Sequence, residues 1–264
     1  MKDKAILVVS FGTTNKAIRK KTIDLIELKI QNIFPHYKIY RAFTSKVIIE
    51  KIKTTENIKI NTVSEAIKKI ISDGITNLIV QPTHIINGIE NNNMINDIKM
   101  HINSFHSIKI GDPLLSSQKD CINIINIIKK QLFFTNFNEG IILMGHGTSH
   151  CCDKTYTHFN NIIKSKGYQN IYVATMKGSL KLSDVITDLK NKSIKKVHLV
   201  PIMFHCGKHI ICDMNGSKDS SWKNILKRNG FDVNCILKGL SEYPEILDLL
   251  VDHITKAKAI DFNL

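Results

Sequence analysis

Arginine is scarce in this sequence. Arg19, Arg41 and Arg228 are the only three among 264 residues, although the formal net charge is +14. A guanidinium is the usual reader of phosphate and base edges, because its planar fork donates parallel hydrogen bonds. Three scattered guanidiniums, with no interleaving of basic and aromatic residues, argue against a nucleic-acid-binding protein. The positive charge is lysine charge. Most of it reads as solvated surface, in a chain crowded with Ile, Asn and Lys as an AT-rich coding sequence produces. The rest suits an anionic partner.

Long apolar runs are missing as well. No stretch reaches about 18 uncharged apolar residues, so no membrane span is expected. The opening residues MKDKAILVVSFG lack the apolar core and small-residue cleavage site of a secretory leader, and a cytoplasmic protein is expected. None of Cys121, Cys151, Cys152, Cys206, Cys212 and Cys235 forms a CxxC pair, which removes the common structural zinc sites. In the cytosol these thiols stay reduced, and most are expected as small core residues. The sequence has no GxxxxGK[ST], no GxGxxG opening a helix and no GxSxG elbow, so phosphate-cradle and serine-nucleophile chemistry find no support.

What is present is alternation. Apolar runs at residues 5–10, 37–43, 77–81 and 107–110 read as strands, and segments 16–32, 45–53, 62–72, 91–105 and 118–132 as helices. Thr62 with Glu65 three residues on is a capping box. The pattern then restarts. Strands are expected at 140–144, 170–175, 196–201 and 231–236. Helices are expected at 153–166, 182–190 and 244–257, with helical tendency at 210–213 and 222–229. Such alternation implies parallel sheets covered on both faces. The polar connection 133–139 divides an N-terminal α/β half, 1–135, from a C-terminal half, 136–264.

The halves resemble each other. Setting VVSFGTTN (8–15) beside LMGHGTSH (143–150) matches Gly12 with Gly147 and Thr13 with Thr148, and sets Phe11 against His146. Setting ITNLIVQPTHIINGIE (75–90) beside IKKVHLVPIMFHCGKH (194–209) matches Pro82 with Pro201 and Gly88 with Gly207, and sets Glu90 against His209. The identities fall at turn residues, where backbone geometry restricts the residue type. Two similar α/β domains facing across a central cleft are expected. Ligands of open α/β sheets bind beyond the carboxyl ends of the strands, so His146, His209 and Glu90 are expected to converge on that cleft.

A histidine between two glycines at a strand end has little core to build. His146 and His209 can bind a divalent transition metal through neutral imidazole, and the pair does not choose among cobalt, nickel, iron and zinc. His84, His198 and His205 read as structural, with His205 a secondary candidate because it stands four residues before His209. His150, Cys151 and Cys152 read as a helix start rather than a soft-metal cluster. The loops SFGTT and GHGTS offer backbone donors to an anionic edge, which makes Ser10, Gly12 and Thr13 substrate-binding candidates.

With these residues placed, the sequence resembles the anaerobic cobalt chelatases, the CbiK-like sirohydrochlorin cobaltochelatases of the class II chelatase group. The matching stretches are ILVVSFGTT (6–14), RAFTS (41–45), HIING with Glu90 after it (84–90), PLLSS (113–117), MGHG (144–147), VHLVPIM with GKHIICDM (197–214) and SW (221–222). They run through nearly the whole chain in order. The resemblance implies two Rossmann-like domains and insertion of Co2+ into sirohydrochlorin, or its oxidised form, on the anaerobic route to cobalamin. Nickel and ferrous iron are the other candidate metals, and no tightly bound cofactor is expected. His146 and His209 would hold the metal, His146 would also accept a proton, and Glu90 is the second catalytic candidate. The partners are then a tetrapyrrole and a divalent metal, with no nucleic acid or membrane.

One position departs from the family pattern. Where the family carries a glutamate in a stretch like VEGYP, this chain has Lys177 in TMKGS, and no acidic residue lies between Asp153 and Asp184. A protonated lysine repels a cation but suits a substrate carboxylate, so Lys177 joins the substrate-binding candidates. The alternative reading is a non-catalytic tetrapyrrole or haem-binding carrier derived from a chelatase. A metal-dependent hydrolase comes third, for want of carboxylate ligands.

Overall fold

The apolar run Ala5–Val9 has no solvent exposure, which a central strand covered on both faces requires. It belongs to a computed structural model that describes residues 3–132 and 138–259. In chain order the elements are β1 (Lys4–Ser10), α1 (Lys16–Lys21), α2 (Ile23–Ile33), β2 (Lys38–Phe43), α3 (Lys46–Glu56), α4 (Val63–Ser72), β3 (Asn77–Pro82), α5 (Ile89–Lys99), β4 (Ser107–Ile110), α6 (Gln118–Leu132), β5 (Glu139–Gly145), α7 (Lys154–Ser165), β6 (Ile171–Thr175), α8 (Leu182–Asn191), β7 (Lys196–Ile202), α9 (Trp222–Arg228), β8 (Asp232–Cys235), α10 (Pro244–Thr255) and β9 (Lys258–Ala259). No helix among the described residues is long and apolar enough to cross a membrane.

The chain forms two units. The first holds the chain up to Leu114 and again from Pro244, and the second holds Leu115–Tyr243. The boundary expected at 135/136 lies outside the described residues. The observed division departs from that expectation in two ways. Helix α6 belongs to the second unit, where it packs on α7. Helix α10, expected to close the second half, packs on β3 and α2 of the first, and β9 pairs antiparallel with β4. The apolar face of α10 explains the return: Ile246, Leu247, Leu249, Leu250 and Ile254 are all buried there.

The first sheet runs β2-β1-β3-β4-β9 and the second β6-β5-β7-β8. Apart from β9, every pairing is parallel. The first four strands of one sheet therefore repeat the order of the other, and the registers agree residue by residue. Pro82 pairs with Val9 and Pro201 with Met144, the same residues that the internal sequence match sets opposite one another. In each sheet the strand order reverses at the opening pair of strands, β1/β3 or β5/β7. That reversal leaves a crevice at the carboxyl ends.

Local signals account for most boundaries. Thr62 and Glu65 form the reciprocal cap of α4, and Asn15 caps α1. The helix expected at 16–32 breaks at Thr22, whose φ of −126° leaves helical space while its hydroxyl donates to Ile18 O at 2.7 Å. The helix expected at 91–105 starts earlier, at Ile89, and stops at Lys99 before a separate 3-10 turn, Ile102–Ser104. The cysteines correct another expectation. All six are free, but only Cys121 is buried; Cys151 and Cys212 are exposed, the first in a 3-10 turn before α7 and the second in a helical segment at 209–214.

Candidate active site

Strand β5 carries its apolar side chains into the core and ends at Gly145. His146 is the first residue beyond it and is half-buried. Two features fix its backbone. Gly147 has a φ of +69°, and a Cβ built there would lie 2.5 Å from the Gly178 nitrogen. Below, the ring of the buried Tyr156 packs against Gly145. Gly147→Ala is therefore expected to cost about 2–3 kcal/mol, from left-handed strain and a backbone clash. Denaturant unfolding measures the cost; a change within about 0.5 kcal/mol would show that the loop relaxes freely.

The His146 ring is oriented by its own loop. Nδ1 lies 2.9 Å from Gly147 O. A carbonyl oxygen only accepts, so the proton sits on Nδ1 and Nε2 keeps a lone pair. Burial is the main cause holding its pKa below the ordinary 6.5. The His209 ring and the Lys177 ammonium act in the same direction, while the Gly147 hydrogen bond and Asp213 oppose them. With the imidazolium disfavoured, His146 sheds its proton at lower pH than an ordinary histidine. It is neutral, and able to bind a metal or accept a proton, at neutral pH.

His209 comes from the other side of the crevice. After β7 the chain turns at Gly207 and enters a π-helical segment, His209–Met214, anchored by the buried Ile210 and Met214. Asn215 N–H donates to Ile210 O, five residues back. Such π turns are frequent at functional sites because they re-aim a side chain. Here the re-aimed ring is His209, whose centroid lies 5.0 Å from that of His146 at 66° between planes. Its Nδ1–H donates to Asp213 Oδ2 at 2.6 Å, which leaves its Nε2 free as well. Two imidazoles at this spacing can share one cation at ordinary metal–nitrogen distances.

Asp213 is the residue that sequence reasoning missed. Its signal in the sequence is HIICD (209–213), which sets a carboxylate four residues after His209. A carboxylate behind a ligand histidine fixes its tautomer and raises its basicity. Asp213→Asn keeps an acceptor and loses the charge, so cobalt affinity is expected to fall about tenfold, and somewhat more for Asp213→Ala. Calorimetric cobalt titration checks this; equal, unchanged affinities in both variants would remove Asp213 from the site.

The remaining candidates separate clearly. Lys177 is drawn in: its backbone N–H donates to His146 O at 3.0 Å, tying the loop after β6 to the end of β5. Ser10 is 1% exposed and its hydroxyl accepts from Thr83 Oγ1. Thr13 is 8% exposed and accepts from Asn15 N–H and, through its carbonyl, from Arg19. Gly12 has a φ of +97° over the Phe43 ring. These three hold the β1 loop in shape and present little side-chain surface of their own. What that loop does expose is Phe11, at 47%, and the matching turn after β3 exposes Ile89, at 49%. Glu90 stands next to Ile89 in the first turn of α5.

The histidines read as structural behave so. His198 is held between Glu139 and Asn234. His84 is buried against Asn91, which keeps it below the ordinary imidazole range by desolvation. Burial pushes His205 down to about 4, and its ring stacks edge-on against Phe204 rather than joining His209. His150 caps the turn before α7 by accepting Cys152 N–H. Among the described residues no group of three or more His, Cys, Asp or Glu is placed to hold a metal. A cation on the His146–His209 pair would therefore leave most of its coordination positions to another ligand.

Comparison with known proteins shows the family. Residues 4–259 match the family described as Cobalt chelatase (CbiK). The chain is 30% identical over 254 residues to a sirohydrochlorin cobaltochelatase of Salmonella typhimurium, covering 96% of both chains. It is 28% identical over 260 residues to the sirohydrochlorin cobaltochelatase CbiKC of Nitratidesulfovibrio vulgaris, covering 97% of this chain and 91% of that one. Among solved structures, SirB from Bacillus subtilis with Fe3+ shares the fold, with a TM-score of 0.66 at 14% identity over 97% of this chain and 95% of that one. The chain belongs to the cobalt chelatase (CbiK) family.

Proposed function

We propose that this protein is a sirohydrochlorin cobaltochelatase, a lyase-class enzyme that inserts Co2+ into sirohydrochlorin. The observation that carries this reading is the His146–His209 pair, with both Nε2 atoms free at the crevice between β5 and β7. The histidines hold the cation on few bonds, so pyrrole nitrogens can displace them one at a time. Each nitrogen that loses its proton needs an acceptor. When the metal leaves His146 Nε2, that lone pair becomes free to take a proton. Glu90 is the proposed second catalytic group. Ile211, exposed two residues after His209, suits the face of a flat macrocycle, and the lysine-rich surface suits its carboxylates. The six free thiols fit a cytoplasmic setting.

The carrier reading rests on one observation, that the loop beside the histidines offers a lysine and no carboxylate. Absorbance spectra of sirohydrochlorin with protein and cobalt, nickel or ferrous iron in turn decide between them. The chelatase accelerates insertion, with cobalt preferred. Retained colour with no acceleration for any metal would leave the carrier.

A further inference from the structure

Beside His146, within the second unit, lies an open depression of about 360 Å³, lined among others by Thr148, Ser149, Cys151, Lys154, Lys177 and Ser179. We propose that this depression is a carboxylate subsite, in which Lys154 and Lys177 grip an acidic arm of the macrocycle. The inference rests on the chelatase reading and extends it to a place where the substrate's edge is held.

The depression's one acid is already engaged. Asp153 is 7% exposed. Its Oδ1 accepts Thr148 N–H at 3.1 Å, and its Oδ2 accepts both the N–H and the hydroxyl of Ser179 at 2.7 Å. That carboxylate ties the loop after β5 to the loop after β6 and so shapes the floor. No carboxylate of the described residues forms an ion pair with Lys154 or Lys177. A third cation stands close by, since Lys181 Nζ donates to the Gly178 carbonyl. The result is a built floor with excess positive charge around it and the serine hydroxyls at its rim. A short carboxylate arm supplies what Lys154 and Lys177 lack, a charged acceptor. The volume is too small for the macrocycle itself and suits one of its arms. The backbone bond from Lys177 N–H to His146 O sets this grip next to the metal-site histidine, so an arm held here would place the ring beside it.

The test uses metal-free sirohydrochlorin and its fully esterified form, each titrated by fluorescence into the full-length protein without cobalt. Lys154→Gln and Lys177→Gln are each expected to weaken binding of the acid three- to tenfold, and the double variant about thirtyfold. Ester binding should be the same in all four proteins. Lys177→Arg, which keeps the charge, should restore most of the acid's affinity. Acid binding within twofold of the parent in the double variant overturns the subsite. Equal loss of acid and ester overturns it too, because it marks the lysines as structural. Inorganic phosphate should compete only as far as its ionic strength requires; specific displacement would assign the depression to phosphate instead. The insertion assay is separate. A parent protein that inserts no metal sinks the chelatase reading, while these affinities still report on the subsite.

Discussion

His146→Ala is expected to lower kcat/KM for cobalt insertion by about a thousandfold while leaving the fold in place. The size follows from two losses on one atom. In the proposed mechanism Nε2 would hold the metal before the pyrrole nitrogens arrive and accept a proton afterwards, and a positioned acid–base group alone contributes roughly 10²–10⁴ in rate. The fold survives because the side chain, half-buried at the edge of the crevice, donates only to the carbonyl of its own neighbour. Tyr156 and Gly147 hold the loop through contacts that alanine keeps. Denaturant unfolding should therefore move by no more than about 1 kcal/mol. A loss above about 3 kcal/mol would mark His146 as a buried structural residue and the kinetic effect as indirect.

His209→Ala should separate metal from macrocycle. In the proposed site the ring is the second of two histidine ligands among the described residues, so its removal should weaken cobalt binding at least about a hundredfold, beyond what loss of a supporting carboxylate costs. Binding of metal-free sirohydrochlorin should change by less than about threefold, since an imidazole edge contributes little area against a large ring. Titrating each ligand alone reads the two effects independently. A parallel loss of both affinities would make His209 a wall of the macrocycle pocket rather than a ligand. Asp213 gives the comparison its internal scale: left without its imidazole in His209→Ala, it is half-exposed and rehydrates, so the variant should remain folded.

Much of this candidate site is legible in the sequence. The two glycines around His146 announced a strand end with no core to fill, and the internal match placed His209 and Glu90 at corresponding turns. The sheet order confirms the reason, because turn residues are constrained by backbone geometry while strand interiors accept any apolar side chain. What stayed hidden was tertiary. Thr22 breaks a helix whose apolar spacing continues through it. The π turn at His209–Met214 arises from packing of Ile210 and Met214, not from local propensity. The destination of α10 depends on which apolar face lies within reach, and periodicity is silent on that. Ser10 is a candidate through the backbone donors of its loop, yet the last residue of a buried strand turns its hydroxyl inward to Thr83.

The return of α10 and β9 to the first unit also orders the protein's own making. Residues 115–243 are an insertion within a discontinuous unit. A ribosome therefore makes everything the second unit needs before it makes α10. The first unit, by contrast, has β1 to β4 assembled early and waits with the surface meant for Leu249, Leu250 and Ile254 uncovered. During synthesis the histidine-bearing unit can close first, and the earliest-made strands are the last to be sealed. A chain truncated after Tyr243 and released should resist protease across residues 138–243 and be cut within the first hundred.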